Sequence, residues 1–165
     1  MRISTQLFVL FTLLLLSACG FHLRGQAGMP FSTLYIDAAN PNSALITDLR
    51  SNLTSNNVKL VDNSDQAEVI LSIVSETPGK KILSLGGSGR INEFQLSYSV
   101  SLRAYDLKQQ EWIPAEEVVL RRDFSYNDSQ VLAKQAEETL LYQNMRSDMT
   151  QQILRRLSRA HPLPQ

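Results

Sequence analysis

The chain has 165 residues and carries 16 lysines and arginines against 16 acidic residues, with two histidines and one cysteine. A formal charge of zero excludes bulk capture of nucleic acid or polybasic attachment to a membrane, so any anionic partner has to be met by a local cluster. One cysteine excludes a disulfide within the chain, and two histidines at opposite ends of the sequence give no zinc-ligand spacing and no metal site.

The first predicted element is a signal peptide. Arg2 supplies the positive charge, Leu7 to Leu16 is apolar apart from one threonine, and Leu16-Ser17-Ala18-Cys19 closes the segment. A membrane-spanning helix needs about 20 apolar residues, and this run is roughly half of that. Leu-Ser-Ala-Cys is the lipobox pattern, which predicts removal of residues 1–18, diacylglycerol on the Cys19 thiol and an acyl chain on its amino group. Two or more chains anchor stably where one binds only marginally. Gly20, where aspartate tends to retain such proteins in the inner membrane of enteric-type bacteria, favours the outer membrane. Loss of Arg2 leaves 15 basic residues against 16 acids.

Residues 19–30 then read as a tether, 31–160 as one domain and 161–165 as a tail. Thr33 to Asp37 is a short strand, and Asn40-Pro41-Asn42 breaks the chain. A helix starting at Pro41 or Ser43 runs to about Asn56, with Leu45, Ile46, Leu49 and Leu53 on one face. Val58 to Val61 is a short strand or extended lead-in. Ala67 to Thr77 is a strand whose Val69, Ile70, Leu71, Ile73 and Val74 predict burial. Pro78-Gly79-Lys80-Lys81 interrupts it, Ile82 to Leu85 resumes an extended course, and Gly86 to Gly89 turns. From Glu93 to Ala104 polar and apolar residues alternate strictly, with Phe94, Leu96, Tyr98, Val100 and Leu102 on one face and Gln95, Ser97, Ser99, Ser101 and Arg103 on the other. Glu111-Trp112-Ile113-Pro114 reads as a connection to a strand from about Glu116 to Tyr126. The last element is a helix from Ser129 to about Ala160, stopped by Pro162, with a stripe of Leu132, Ala136, Leu140, Met149, Ile153 and Leu157. This order predicts an α+β fold: two helices on one face of a mostly antiparallel sheet of about four strands.

Cys19-Gly20-Phe21-His22-Leu23-Arg24-Gly25 resembles the mature N-terminus of the LPS-assembly lipoprotein family, LptE. The resemblance continues through Glu93-Phe94-Gln95 and Val131-Leu132-Ala133-Lys134 and covers the whole mature chain. It implies a non-enzymatic outer-membrane partner of the β-barrel LptD, reached from the periplasm, which plugs the barrel, aids its assembly and binds lipopolysaccharide in transit. It implies the same fold of two helices on about four strands, and lipopolysaccharide contacts at Lys134 and, displaced by a few residues, at Arg90. The acidic or threonine-rich C-terminal tail of some relatives is missing. The competing function is that of a free-standing envelope lipoprotein, a solitary binding or carrier module.

The residues themselves leave several readings open. Gly86-Gly87-Ser88-Gly89-Arg90 is followed by a strand rather than a helix, which favours a hairpin tip over a phosphate loop, yet such a tip can present Arg90 to a phosphate. Lys134 is either a solvated surface lysine or, if the tip returns to the start of the last helix, a neighbour of Arg90. Lys80 and Lys81 belong to that patch or to a separate turn. Arg121-Arg122 is a basic pair on a water-facing edge or a contact to a barrel wall, and Phe21 and His22 suit packing where the tether meets barrel or bilayer. Glu116 and Glu117 point to opposite faces of a strand and cannot act as a facing acid pair. No nucleophile has a histidine in the folded region, so no enzyme is expected, and no cofactor beyond the acyl chains.

Overall fold

The computed structural model describes residues 28–164, so Cys19, Phe21 and His22 lie outside the described residues. The chain order is β1 (Thr33–Ala38), α1 (Ala44–Ser55), β2 (Lys59–Leu60), β3 (Val69–Leu85), β4 (Ile91–Tyr105), β5 (Glu111–Ser125) and α2 (Val131–Leu157). The strands form one sheet in the order β2-β1-β3-β4-β5. The β3-β4-β5 part is antiparallel, as expected, whereas β1 runs parallel to both β2 and β3. The fifth strand beyond the expected four is the two-residue β2, which falls within the Val58–Val61 stretch expected as a short strand or extended lead-in. Among the described residues no helix is long and apolar enough to cross a membrane.

Local chemistry sets the first helix. Ser43 has extended backbone and its hydroxyl accepts from the Ile46 amide at 3.2 Å, a side-chain N-cap that contributes about 1 kcal/mol. At the other end Asn57 takes a positive φ of 62°, a conformation asparagine tolerates, and the chain turns into β2. Leu45, Ile46, Leu49 and Leu53 are all buried against the sheet, as their spacing predicts. The two helices touch each other through Arg146 Nε and Asp48 Oδ2 at 2.7 Å, and together they cover one face.

On β4 the alternation holds throughout: Leu96, Tyr98, Val100, Leu102 and Ala104 are buried, and the serines between them lie on the helix-free face. That face is small and polar, with Thr77, Gly79 and Lys81 of β3 opposite Ser99, Ser97 and Gln95 of β4. At Gly79 a Cβ would stand 2.4 Å from Ser97 Oγ, so the glycine allows close approach of the two side-chain layers.

Three expectations are corrected. Pro78 to Lys81 does not interrupt the sheet; β3 continues from Val69 to Leu85 and keeps its pairing with β4, including Pro78 opposite Tyr98. The reason is tertiary: β1 covers β3 only as far as Ile73, and beyond it β3 is an edge strand, where proline is tolerated. Glu111 to Pro114 is not a connection but the start of β5, also an edge strand. The turn before it is set by Asp106, whose Oδ1 accepts from the Lys108 and Gln110 amides at 2.8 and 3.0 Å. Finally, Val74 is exposed, because a register shift between Ile73 and Ser75 takes it out of the inward series.

The C-terminal segment is tied down as well. Gln110 Nε2 donates to the Leu163 carbonyl at 2.9 Å, and the Leu163 amide donates to Glu111 O at 2.8 Å.

Candidate functional site: an amphiphilic end of the sheet

β3 and β4 meet in a tight turn at Gly86 to Arg90. The Gly86 amide donates to Arg90 O at 2.7 Å, the Gly89 amide donates to Gly86 O at 2.9 Å, and Gly89 takes a φ of 74° that favours glycine. Arg90 is exposed at this tip. At the far end of β5 the Tyr126 amide donates to Asn92 O, a 3₁₀ turn at Asp128–Gln130 follows, and α2 begins. Lys134 lies in the first turns of α2. Its Nζ donates to Ser125 Oγ at 3.2 Å and pairs with Glu137 at 2.8 Å. Ser125 is the register partner of Glu93, three positions after Arg90, so tip and helix start occupy one end of the domain.

The two cations differ in kind. The Lys134 side chain is only 13% exposed, held between Ser125 and Glu137, so it is not a freely solvated lysine. Lys80 is drawn away from the open face toward α2, where it pairs with Glu138 and lies 4.2 Å from the centroid of the Phe94 ring. Phe94 in turn stacks on Phe124 at 5.7 Å and meets Tyr126 edge-on at 5.1 Å. A cation over an aromatic face gains about 0.5–1 kcal/mol at such a partly exposed site. Lys81 remains on the helix-free face.

The basic pair on β5 is split by the strand's own period. Arg121 sits opposite Ser97 on the helix-free face, whereas Arg122 belongs to the helix face and donates to Asp148 at 2.9 Å. They do not form one patch.

Around the tip lies a group of exposed apolar side chains. Leu132 is 82% exposed and Leu140 56%, although both continue the helical stripe whose lower half, from Met145 to Leu157, fills the core. Val131, Ile82, Leu83 and Leu85 are exposed at the same end. The upper half of α2 is instead tethered by polar links: Glu138 to Lys80, and the Tyr142 hydroxyl donating to Gly79 O at 2.6 Å. The strand-bound cations and the bare leucines make this end amphiphilic. Such apolar exposure beside basic groups suits a ligand that is itself part anionic and part hydrocarbon.

Below this end, Tyr98 donates its hydroxyl to Glu76, with Arg146 and Tyr142 lining the same concavity of about 470 Å³. Burial, then the hydrogen bond to the Glu76 carboxylate and its charge, hold the Tyr98 phenol well above its ordinary range. Burial and the Glu138 charge also raise Tyr142.

Residues 31–157 match the family described as LptE, lipopolysaccharide-assembly. The chain belongs to the LptE family. Among its relatives is the LPS-assembly lipoprotein LptE of Pectobacterium atrosepticum, 32% identical over 147 residues, covering 87% of this chain and 79% of that protein. That of Photorhabdus laumondii is 29% identical and covers 97% of this chain and 87% of its own. The solution structure of lipoprotein B from Nitrosomonas europaea superposes with a TM-score of 0.73 at 40% identity, over 84% of this chain and 90% of that one. The rare lipoprotein B of Shewanella oneidensis gives 0.67 at 27% identity, over 74% and 91%. These solved relatives superpose on this chain's fold of two helices against a five-stranded open sheet, and family and fold agree with the resemblance drawn from the N-terminal motif.

Proposed function

We propose that this LptE-family chain is an outer-membrane lipoprotein, acylated at Cys19, that plugs and helps assemble an LptD barrel and binds lipopolysaccharide during its passage to the outer leaflet. The observation that carries this reading is the amphiphilic end: Arg90 at a glycine-rich tip, Lys134 at the start of α2, and exposed Leu132, Leu140, Ile82 and Leu85 beside them. Lipid A has phosphates and acyl chains in one molecule. A guanidinium matches a phosphate in two parallel hydrogen bonds, and an adjacent ammonium adds a point charge. The helix-free face, with its serines and threonine, suits the polar inner wall of a barrel. Neither role asks the chain for a chemical step, and it is read as a non-enzyme.

Arg90→Glu combined with Lys134→Glu is expected to weaken lipopolysaccharide binding at least about tenfold, the loss of a charge-assisted hydrogen bond or more, with unchanged circular dichroism. Equal binding by variant and wild type would remove the assignment of these two residues. Lys134→Gln should have a smaller effect than Arg90→Gln, since Glu137 already offsets the lysine's charge.

The partner is tested separately. Detergent extraction of cells is expected to yield this chain in a one-to-one complex with a large barrel, with mass spectrometry finding acyl chains on residue 19. A monomer alone would favour a solitary carrier, and an unacylated residue 19 would remove the anchor.

A further inference from the structure

Opposite the β3–β4 tip, at the end where β5 begins and α2 stops, lies a concavity of about 440 Å³ lined by Trp112, Arg155, Arg156, Arg159 and His161. Arg156 is committed to Glu116 at 2.7 Å and to Gln152. Arg155 and Arg159 are exposed, and among the described residues no carboxylate lies within ion-pair distance of either. Among the described residues the buried indole nitrogen of Trp112 has no hydrogen-bond partner. A buried N–H normally finds one, so this donor has an unfilled requirement beside surplus positive charge. Basic residues in the last turn of a helix also favour its dipole, which accounts for Arg155 and Arg156, but Arg159 lies beyond the end of α2.

The place of this site along the chain suggests its occupant. Phe31 meets Trp112 edge-on at 6.1 Å, so the chain enters the domain beside the concavity. Residues 19–28 reach at most about 35 Å when fully extended. A segment that begins with an apolar signal and a lipobox therefore leads its membrane to this end of the fold.

We propose that Trp112, Arg155 and Arg159 form a docking site for the phosphate-bearing headgroups of the phospholipid surface to which the N-terminal segment runs. Guanidinium groups bind headgroup phosphates bidentately, and the tryptophan ring sits well at a headgroup boundary. The orientation rests on the reading of Cys19 as the anchor. The affinity of the site for headgroups does not.

The test uses the chain from residue 19 onward with Cys19→Ser, so that no acyl group contributes to binding. Trp112 is the only tryptophan, and its emission reports on this site alone. Vesicles of phosphatidylcholine with phosphatidylglycerol are expected to bind the protein and shift the emission to the blue, and vesicles of phosphatidylcholine alone to do so far more weakly. Arg155→Gln with Arg159→Gln should weaken binding by about fivefold per arginine removed, with an unchanged thermal midpoint. If the double variant is destabilised, Arg159→Gln alone, beyond the helix, still has to show its fivefold loss. The proposal is overturned if phosphatidylglycerol vesicles leave the emission unchanged, or if the variants bind as the wild type does. It is also overturned if inorganic phosphate gives the whole response and vesicles give none, which would mark a soluble-anion site. An unacylated residue 19 found in cells would sink the anchor but leave the vesicle result standing.

Discussion

Leu71→Ala is expected to lower the stability of the domain by about 3 kcal/mol and its thermal midpoint by roughly 10 °C. Leu71 is fully buried on the central strand β3, opposite Ala104 and beside Ile36 of β1, in the core cluster to which both helices contribute. Truncation there removes transfer free energy and leaves a cavity that neighbours on paired strands cannot collapse into. Leu132→Ala is the internal control. It deletes the same atoms from a residue that is 82% exposed, and its effect on stability should stay within about 0.5 kcal/mol. Urea unfolding of the two variants decides the matter: similar losses would mean that Leu132 is covered by something within the same chain. If the amphiphilic end binds acyl chains, Leu132→Ala should weaken lipopolysaccharide binding while leaving the midpoint alone.

Tyr98→Phe is expected to destabilise the protein by about 1–2 kcal/mol at neutral pH, and the difference should shrink as the solution becomes alkaline. At neutral pH the variant loses a hydroxyl that donates to Glu76 and leaves a half-buried carboxylate short of a partner. The alkaline behaviour follows from the raised phenol. In the unfolded chain Tyr98 loses its proton near pH 10, whereas in the folded chain it holds it to higher pH. Between those limits the folded state binds more protons than the unfolded state, so the wild-type protein loses stability as pH rises, by up to about 1.4 kcal/mol per pH unit from this group. The contribution is complete below pH 10 and disappears upward. Phenylalanine cannot titrate, so the variant's curve falls less steeply, with a residual slope of the same sign from Tyr142. Chemical unfolding at several pH values checks this, and parallel wild-type and variant curves would contradict it.

Much of the fold could be read from local pattern. The strict alternation on β4 assigned every side chain between Phe94 and Ala104 to its face, and Ser43 followed by apolar residues at helical spacing located α1 with its buried side. Two of the misses on the sheet have one physical cause: the sequence does not say which strands are edges. Pro78 and Pro114 look like breaks unless it is known that one flank of β3 and of β5 is free. The stripe on α2 has the same limit. Its period runs unbroken from Leu132 to Leu157, but the sheet and α1 cover only its second half, so the period alone does not tell that Leu132 and Leu140 are exposed. At the amphiphilic end, the hairpin reading brought Arg90 near Lys134, while the leucines around them were hidden in that stripe. The Trp112 cavity is invisible in the sequence because its walls come from positions 112–114 and 152–161, joined only by tertiary packing.

β4 has 15 residues in register with β5 along nearly its whole length, which at about 3.3 Å each makes a rod close to 50 Å long. A bilayer with its headgroups measures about 40–45 Å. If the proposed mooring at the Trp112 end and the proposed place inside a pore both hold, an upright molecule would carry Arg90 clear through to the far side. The hairpin would act as a ruler, and shortening it by three residue pairs should pull the tip back by about 10 Å, to within the thickness of the bilayer.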